Sequence, residues 1–206
     1  MSLFYLQDSR SYVGDGLQFW GKGGRGYVTD LDKAELFTAE QAVRHRDTDI
    51  PWPKDYIDAR AHLGVDFQCL DMHAASQILA DGCMCVLQVP KQWNGNDIFF
   101  ARHPIGSTDR LEAAHRLTLE EARAIGDDDL VIWPVAYIDS ISRRLVHRQD
   151  VDIKEALRGT GIKLPKPERQ RRPRELIFNC VGCGRFISDS QRFRHDCLNC
   201  GASNTP

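Results

Sequence analysis

The chain has 206 residues, of which 42% are hydrophobic and 27% are charged, proportions that suffice for one or two domains with their own cores. No run approaches the ~20 consecutive apolar residues of a transmembrane helix. The first ten residues lack the basic and apolar regions of a secretory signal. We therefore expect a cytoplasmic protein with no membrane partner, in which cysteines at metal-binding spacing are ligands rather than disulfides.

The net charge of −2 conceals an uneven distribution. Residues 151–206 carry 11 Lys and Arg against 6 Asp and Glu, whereas the rest of the chain carries 16 against 23. An acidic body with a basic tail favours contact with a polyanion or an acidic partner. A solvated charged linker is the alternative.

The first forty residues predict strands followed by a helix. FYLQD (4–8) is rich in aromatic and branched residues and predicts a short strand. LQFWGKGGRGYVTD (17–30) predicts two strands joined by a glycine-rich turn. FTAEQAV (37–43) predicts the start of a helix, with Thr38 as N-cap and Gln41 at the third position of a capping box.

The next forty residues predict further strands and a closing helix. Trp52 is kept out of a helix by the proline that follows it. YIDARAHLGVDF (56–67) predicts a hairpin or a pair of strands. DMHAASQILADG (71–82) predicts a short helix that ends at a glycine. These elements define a small α+β module.

The same pattern returns about eighty positions later. WPKDYIDA (52–59) matches WPVAYIDS (133–140), and the capping-box pattern returns at 118–121. The matches are colinear, and the length changes fall in expected loops, which favours duplication of a domain over chance similarity. The repeated aromatic residues are expected in a shared core; the alternative is that Trp52 and Trp133 form equivalent recognition surfaces.

The first module carries two longer segments, YLQDSRSYVGDGLQFWGKGGRGYVTDLDKAELFTAEQA (5–42) and TDIPWPKDYIDA (48–59). With them, residues 4–68 resemble small uncharacterised proteins that are common in tailed-phage and prophage genomes, and the second module follows this resemblance only faintly. That family has no established activity. The resemblance therefore implies a mobile-element origin and a host cytoplasm as the location, and it implies no catalytic residue.

The strongest motif is CVGCGRFISDSQRFRHDCLNCG (180–201). Cys180 and Cys183 form one CxxC pair, Cys197 and Cys200 form another, and 13 residues separate the pairs. Two such turns bring four thiolates onto one tetrahedral Zn²⁺, and the adjacent glycines suit turns that need positive φ. The pattern resembles a zinc ribbon, with a four-thiolate iron site as the chemical alternative.

Four thiolates leave no open position on the metal, so its expected role is to stabilise folding rather than to catalyse. About thirty residues bury too little surface to fold without such help. His195 lies two residues before Cys197, and we expect it to be an exposed basic residue rather than a substitute ligand.

The sequence thus predicts an α+β protein with two tandem duplicated sheet-plus-helix modules and a C-terminal zinc ribbon. The predicted domains are the first module (1–82), the second module (83–162), a basic proline-rich linker (163–175) and the zinc ribbon (176–206).

Basic residues interleaved with aromatic ones in the tail predict contacts with nucleic acid, because arginines bind phosphates and aromatic rings stack on bases. A protein partner and a merely solvated linker are the alternatives, and Phe186 or Phe193 could instead form the core of the ribbon. The candidate binding residues are Arg169, Arg171, Arg172, Arg174, Arg185, Arg192, Phe193 and Arg194. Outside the ribbon, Cys69, Cys83 and Cys85 are expected to be buried small hydrophobes.

We therefore expect a non-enzymatic, zinc-binding interaction protein that engages a host macromolecule or nucleic acid. The alternative is a metal-dependent enzyme acting on nucleic acid, with Mg²⁺ held by carboxylates of the modules. Its candidate ligands are Asp47, Asp49, Asp58 and Asp66 in the first module, or Asp127, Asp128 and Asp129 in the second.

Overall fold

The computed structural model describes residues 2–127, 129–164 and 176–205. The chain divides into two compact units, Met1–Pro165 and Lys166–Pro206, which we call the large unit and the small unit. The large unit is a mixed α/β structure built on two five-stranded sheets. None of the helices in the described part of the chain has the length and apolar character that crossing a membrane would need.

The first half of the large unit, residues 2–82, contains one of these sheets and three short helices. Its elements are β1 (Leu3–Val13), β2 (Gly16–Trp20), β3 (Tyr27–Val28), β4 (Phe37–Thr38), α1 (Ala39–Val43), β5 (Asp49–Pro53), α2 (Lys54–Asp58), β6 (His62–Gly64) and α3 (Met72–Ile78). The central strand is β1, which pairs with β5 along one edge and with β2 and β4 along the other. All these pairings are antiparallel.

Strand β1 is buried on both faces, because successive side chains point to opposite sides of a sheet. Tyr5 packs into one cluster with Phe19. Phe4 and Leu6 pack into another with Ala42 of α1. This explains the nearly continuous apolar run at the start of the chain, which differs from the alternation of a strand with one solvated face.

The second half, residues 83–162, repeats this arrangement. Its elements are β7 (Met84–Asn94), β8 (Asp97–Ala101), β9 (Ser107–Thr108), β10 (Arg116–Thr118), α4 (Leu119–Ala124), β11 (Val131–Pro134), α5 (Val135–Ile141), β12 (Arg143–Leu145) and α6 (Ile153–Ala156). The central strand β7 pairs with β11 along one edge and with β8 and β10 along the other. The two halves therefore have the same order of strands.

The two tryptophans of the repeated segment occupy corresponding places. Trp52 Nε1 donates to Gln7 Oε1 at 2.7 Å, and Trp133 Nε1 donates to Gln88 Oε1 at 2.8 Å. Each indole stacks on the tyrosine four residues later, with ring planes 17° apart in both cases. Both indoles are buried, so they belong to the core and do not form recognition surfaces.

Strands β6 and β12 pair with each other as a separate antiparallel ribbon. After β6 the chain passes into the second half, and after β12 it passes into the first half. The backbone N–H of Ile98 donates to the carbonyl of Val65 at 3.0 Å, and the N–H of Leu17 donates to the carbonyl of Val146 at 2.9 Å. Val65 lies in the core of the second half and Val146 in that of the first. Each half therefore completes its core with a segment of the other.

Two tyrosines repeat this exchange at the helices that follow the ribbon. The Tyr56 hydroxyl accepts from the backbone N–H of Asp152, the N-cap of α6, at 2.9 Å. The Tyr137 hydroxyl accepts from the N–H of Asp71, the N-cap of α3, at 2.6 Å. Helix α6 thus docks on the first half and α3 on the second, each with a buried alanine.

The two halves also touch where their central hairpins turn. Gly14 and Gly95 have φ angles of +60° and +62°, which favour glycine. A Cβ on Gly14 would lie 2.3 Å from the backbone nitrogen of Gly95, and a Cβ on Gly95 would lie 2.6 Å from the carbonyl carbon of Val13. Both turns therefore need glycine for their conformation and for the closeness of the contact.

Two local predictions have different outcomes. Both capping boxes are confirmed, at Thr38 with Gln41 and at Thr118 with Glu121. The hairpin expected at 56–67 is wrong, because Tyr-Ile-Asp belongs to helix α2 and only β6 is extended. The proline just before α2 starts the helix without losing a hydrogen bond, and the helix turns Tyr56 back onto Trp52.

The prediction for the cysteines outside the tail is partly wrong. Cys85 is buried and Cys83 is half-buried, with their sulfurs 3.6 Å apart. Cys69 is exposed, because it ends a 3₁₀ turn, Phe67–Cys69, on the surface.

The small unit contains one hairpin and one short helix. Its elements are β13 (Ile177–Asn179), β14 (Phe186–Ser188) and α7 (Asp189–Arg194). Ser188 caps α7 in a capping box with Gln191. Among its described residues, the buried side chains are those of Cys180, Cys197 and Asn204. An ordinary hydrophobic core therefore does not hold residues 176–205 together.

We predict that Gly14→Ala destabilises the large unit more than Gly23→Ala does. Gly23 has a similar φ of +65° but nothing within 4 Å of an added Cβ. Both variants carry the left-handed strain of about 1–2 kcal/mol, and only Gly14→Ala adds the overlap, which costs about 1–3 kcal/mol more. Urea unfolding measures the difference, and equal losses in the two variants would contradict the contact between the turns.

Candidate metal centre

Two similar turns present the four cysteines of the small unit. In the first, the N–H of Gly184 donates to the carbonyl of Cys180 at 2.8 Å; in the second, the N–H of Gly201 donates to the carbonyl of Cys197 at 2.7 Å. These glycines have φ angles of +71° and +72°. Gly182 lets the two turns pack closely together, because a Cβ there would lie 2.6 Å from the Cβ of Ala202 and 3.1 Å from the sulfur of Cys200.

The sulfurs are spaced for a tetrahedral metal ion. The Sγ atoms of Cys180 and Cys200 are 3.6 Å apart, and those of Cys183 and Cys197 are 3.7 Å apart. Metal–sulfur bonds of about 2.3 Å in a tetrahedron place sulfurs about 3.8 Å apart, whereas a disulfide bond measures about 2.05 Å. The four cysteines therefore form a group that could hold a metal ion.

Asn204 supports this group and was not predicted from the sequence. Its side chain is buried, and Nδ2 lies 3.5 Å from the sulfur of Cys180 as a donor. Its Oδ1 accepts from the backbone N–H of Val181 at 2.9 Å, which ties the end of the chain to the first turn. The backbone N–H of Gly182 also donates to the Cys180 sulfur, at 3.4 Å.

The thiols differ in their readiness to ionise. Burial opposes ionisation of Cys180, but hydrogen bonds from the backbone of Cys183 and Gly182 lower its pKa to about 6. The backbone N–H of Arg185 lowers the pKa of Cys183. The N–H of Ala202 lowers the pKa of Cys200, yet neighbouring sulfurs and burial raise it to about 12. A bound divalent cation would offset the repulsion between adjacent thiolates and so favour their ionised form.

His195 is not among the grouped ligands. It is the C-cap of α7 and is exposed, as expected for a basic residue outside the site. Within residues 176–205, the only group of metal-ligand side chains is the set of four cysteines.

The structure places the predicted binding residues in three different situations. Arg169, Arg171, Arg172 and Arg174 lie outside the described residues. The guanidinium of Arg192 lies 4.0 Å from the centre of the Phe178 ring, and its Nε donates to the carbonyl of Asn204 at 3.2 Å. Arg192 therefore has a structural role within the small unit.

The remaining predicted residues are exposed. Arg185 and Arg194 are on the surface, as is Phe193, with 62% of its area accessible. Phe186 is 80% accessible and lines a cleft together with Arg185, His195, Asp196 and Leu198. The alternative that Phe186 or Phe193 fills the core of the ribbon is therefore wrong.

The structure does not bring together the candidate magnesium ligands that it describes. Asp49 is buried against Arg46 and His45, Asp58 pairs with Arg144, and Asp66 pairs with Arg143. Asp47, Asp127 and Asp129 are exposed, and Asp128 lies outside the described residues. Three of these carboxylates thus already have basic partners, as expected of structural ion pairs.

A second group of potential metal ligands lies in the large unit and was missed from the sequence. It contains His62, His147 and Asp150. Burial, and then the neighbouring His147, lower the pKa of His62 to about 4. Burial also lowers the pKa of His147. Both imidazoles are therefore neutral near pH 7, and no spacing motif connects them in the sequence.

No family model, no curated protein and no solved structure matches this chain.

We predict that Cys183→Ser abolishes metal binding at the small unit, whereas Cys69→Ser does not. A serine hydroxyl is a much poorer ligand for a thiolate-preferring ion, and Cys69 is an exposed cysteine far from this group in the sequence. Metal content by plasma emission and thiol protection against alkylation measure the effect. Equal metal content in the two variants would show that the four cysteines do not form the site.

Proposed function

We propose that this chain is a non-enzymatic, zinc-binding interaction protein whose small unit makes the contact with its partner. The four-cysteine group takes Zn²⁺ as a structural ion at Cys180, Cys183, Cys197 and Cys200. The sulfur separations of 3.6 and 3.7 Å support a tetrahedral ion, and zinc accepts four thiolates without redox chemistry. Iron would fit the same sulfurs, and elemental analysis distinguishes the two.

We propose that the partner is single-stranded nucleic acid. The observation that carries this is the cleft in which the exposed ring of Phe186 lies beside Arg185 and His195. A small unit built around metal ligands leaves Phe186 and Phe193 exposed, where the ring faces are free to stack on bases. Arg194 and Phe193 add a second exposed pair of the same kind.

Charge supports this proposal. Residues 166–206 hold eight arginines and lysines against four acidic residues. A zinc ion with four thiolates adds about −2 to this balance, so the segment remains positive. Most of this charge lies in the linker, where it would meet phosphates, whereas the cleft would meet bases.

A protein partner is the second candidate, and a specific observation favours it. Aliphatic side chains of the small unit are also exposed: Val181 is 81% accessible and Leu198 is 89% accessible. Exposed apolar surface on so small a unit is typical of a protein-binding site. The resemblance of residues 4–68 to phage and prophage proteins would make either partner a host macromolecule, and this origin is likewise a proposal.

We propose that the large unit arose by duplication of one module. The common order of strands supports this, as do the matched Trp–Gln hydrogen bonds and the reciprocal tyrosine contacts. In this proposal, the large unit is the scaffold and the small unit is the contact element.

We predict that Phe186→Ala weakens binding of the full-length protein to a labelled single-stranded oligonucleotide by about 1–3 kcal/mol, the effect of losing one stacked base. Phe67→Ala is the matched control, because Phe67 is an exposed phenylalanine of the large unit, and it should leave the affinity unchanged. Fluorescence anisotropy over a range of salt concentrations gives the affinities.

The same titration tests the linker. Changing Arg171 and Arg172 to Ala should make the slope of log affinity against log salt shallower by about 1.4, since each phosphate contact on a single strand contributes about 0.7. No binding by the wild-type protein at low salt would remove the nucleic-acid proposal. It would leave the protein partner, for which Leu198→Ser and Val181→Ser would be the next variants.

A further inference from the structure

The second group of metal-ligand side chains lies where the β6–β12 ribbon ends. His62 is the first residue of β6, His147 follows β12 by two residues, and Asp150 ends the 3₁₀ turn Arg148–Asp150. One ligand atom of each lies within 4.8 Å of the others. The two imidazole rings are 4.2 Å apart between centres, edge to face. The two histidines come from different halves of the large unit.

Both imidazoles are buried and incompletely paired. His62 is 6% accessible and His147 is 2% accessible. Neither ring nitrogen of His62 has a hydrogen-bond partner, and Nδ1 of His147 has none either. A neutral imidazole has one N–H and one lone pair, and leaving such groups unpaired in an interior is costly. One cation in contact with a lone pair of each ring would satisfy both lone pairs and leave only the N–H of His62 without a partner.

The side chains around Nε2 of His147 hold its ring in place. Nε2 lies 3.4 Å from Oδ2 of Asp109 and 3.4 Å from Nδ2 of Asn94, and Asn94 Nδ2 also donates to that carboxylate oxygen at 2.6 Å. When Nε2 carries the proton and donates to Asp109, the lone pair of the unpartnered Nδ1 is left for a metal ion. Histidines that bind metals are commonly held by a carboxylate in this way.

Asp150 supplies an oxygen and is itself held in place. Arg110 Nη2 donates to both of its carboxylate oxygens, at 2.7 and 2.6 Å. Each oxygen keeps a further lone pair for a metal ion. The positive charge of Arg110 opposes a cation, but Asp109 and Asp150 together outweigh it.

The opposite end of the ribbon shows what a cation does in the corresponding place. When the two halves are aligned, His62 of the first half matches Arg143 of the second, and Asp66 of the first half matches His147 of the second. The guanidinium of Arg143 lies between two carboxylates, 3.3 Å from Asp66 Oδ2 and 3.1 Å from Asp97 Oδ2. One end of the ribbon thus carries a cation between two carboxylates. At the other end Arg110 pairs with Asp150 alone and leaves ring nitrogens of both imidazoles without a partner.

We propose that His62, His147 and Asp150 form a second metal site, which takes a divalent ion of the zinc type. Two imidazole nitrogens and one carboxylate oxygen are ligands that zinc and cobalt accept. Tetrahedral ligand atoms at about 2.0–2.2 Å from the ion stand about 3.3–3.6 Å apart. The three ligand atoms lie within 4.8 Å of one another, so they need to approach by at most about 1.5 Å to reach that spacing. A fourth position remains open to water.

Because its ligands come from both halves of the large unit, the ion links the two halves at the end of the β6–β12 ribbon. Metal binding therefore stabilises the exchanged arrangement itself, since a ligand that binds only the folded state raises its stability. This site is independent of the four cysteines, and either site can be present without the other.

The test uses the full-length chain without added histidines, loaded with Zn²⁺ or Co²⁺. We expect the wild-type protein to bind a second ion per chain, and Cys183→Ser to retain that ion while it loses the other. Cobalt at the second site should give d–d bands without the thiolate charge-transfer absorption of the cysteine site. The second ion should raise the melting temperature of the large unit.

Three variants and one control assign the second ion. His62→Gln and Asp150→Asn should lose it, and Asp109→Asn should bind it about 10–100-fold more weakly, the usual effect of removing a partner of a metal-bound histidine. The matched control is His103→Gln combined with His115→Gln, whose rings lie 4.7 Å apart at another place. This control should keep the second ion.

Two results would overturn the proposal. The first is a wild-type protein that binds no second ion at millimolar Zn²⁺, and the second is a second ion that persists in Asp150→Asn and is lost in the His103/His115 control. If His62→Gln fails to fold, imidazole ¹⁵N shifts of the wild-type protein decide instead. Zinc should shift Nδ1 of His147 and one ring nitrogen of His62, and unchanged shifts at saturating Zn²⁺ would exclude the site.

Discussion

The antiparallel pairing of β6 with β12 is the contact on which the large unit depends. Each of these strands is only three residues long, so the ribbon contributes little surface of its own. Its importance lies in where it sends the chain, because Val65 enters the core of the second half and Val146 enters the core of the first. The tyrosine contacts with Asp71 and Asp152 fix the helices that follow. The two sheets are therefore two parts of one cooperative structure, which agrees with the compact unit Met1–Pro165.

The two units solve the problem of stability differently. The large unit buries aromatic and branched side chains in four clusters among its described residues. The small unit exposes such side chains and concentrates its buried atoms around the cysteine sulfurs. A metal ion can replace a hydrophobic core in a segment of this size, and Phe186 and Phe193 are then not needed for a core. Under the proposed function, the stability of the small unit and its binding surface would have a common origin in the four-cysteine group.

Features that depend on neighbours in the sequence could be predicted. The capping boxes require residues three positions apart, and the CxxC turns require cysteines and glycines at fixed short spacing, so Thr38, Gln41 and the four cysteines were identified. The crossing of the ribbon could not be predicted, because Val65 has the same hydrophobicity whichever sheet covers it. Helix α2 was missed because a short helix with Tyr56 and Ile57 has the composition of a strand. Asn204, His62 and His147 gave no signal, since their partners are distant in sequence or have no fixed spacing.

The exchange of segments also sets an order of events during synthesis. The first sheet has left the ribosome once Pro53 has emerged, yet its core lacks Val146 and Ala156, which follow only after the whole second sheet. The nascent first half therefore carries an open apolar face while the second half is being made. A chain that ends before β12 keeps that face exposed permanently and has an unpaired β6 beside it. Such products expose both features that drive aggregation, so completing translation is a condition for this protein to remain folded.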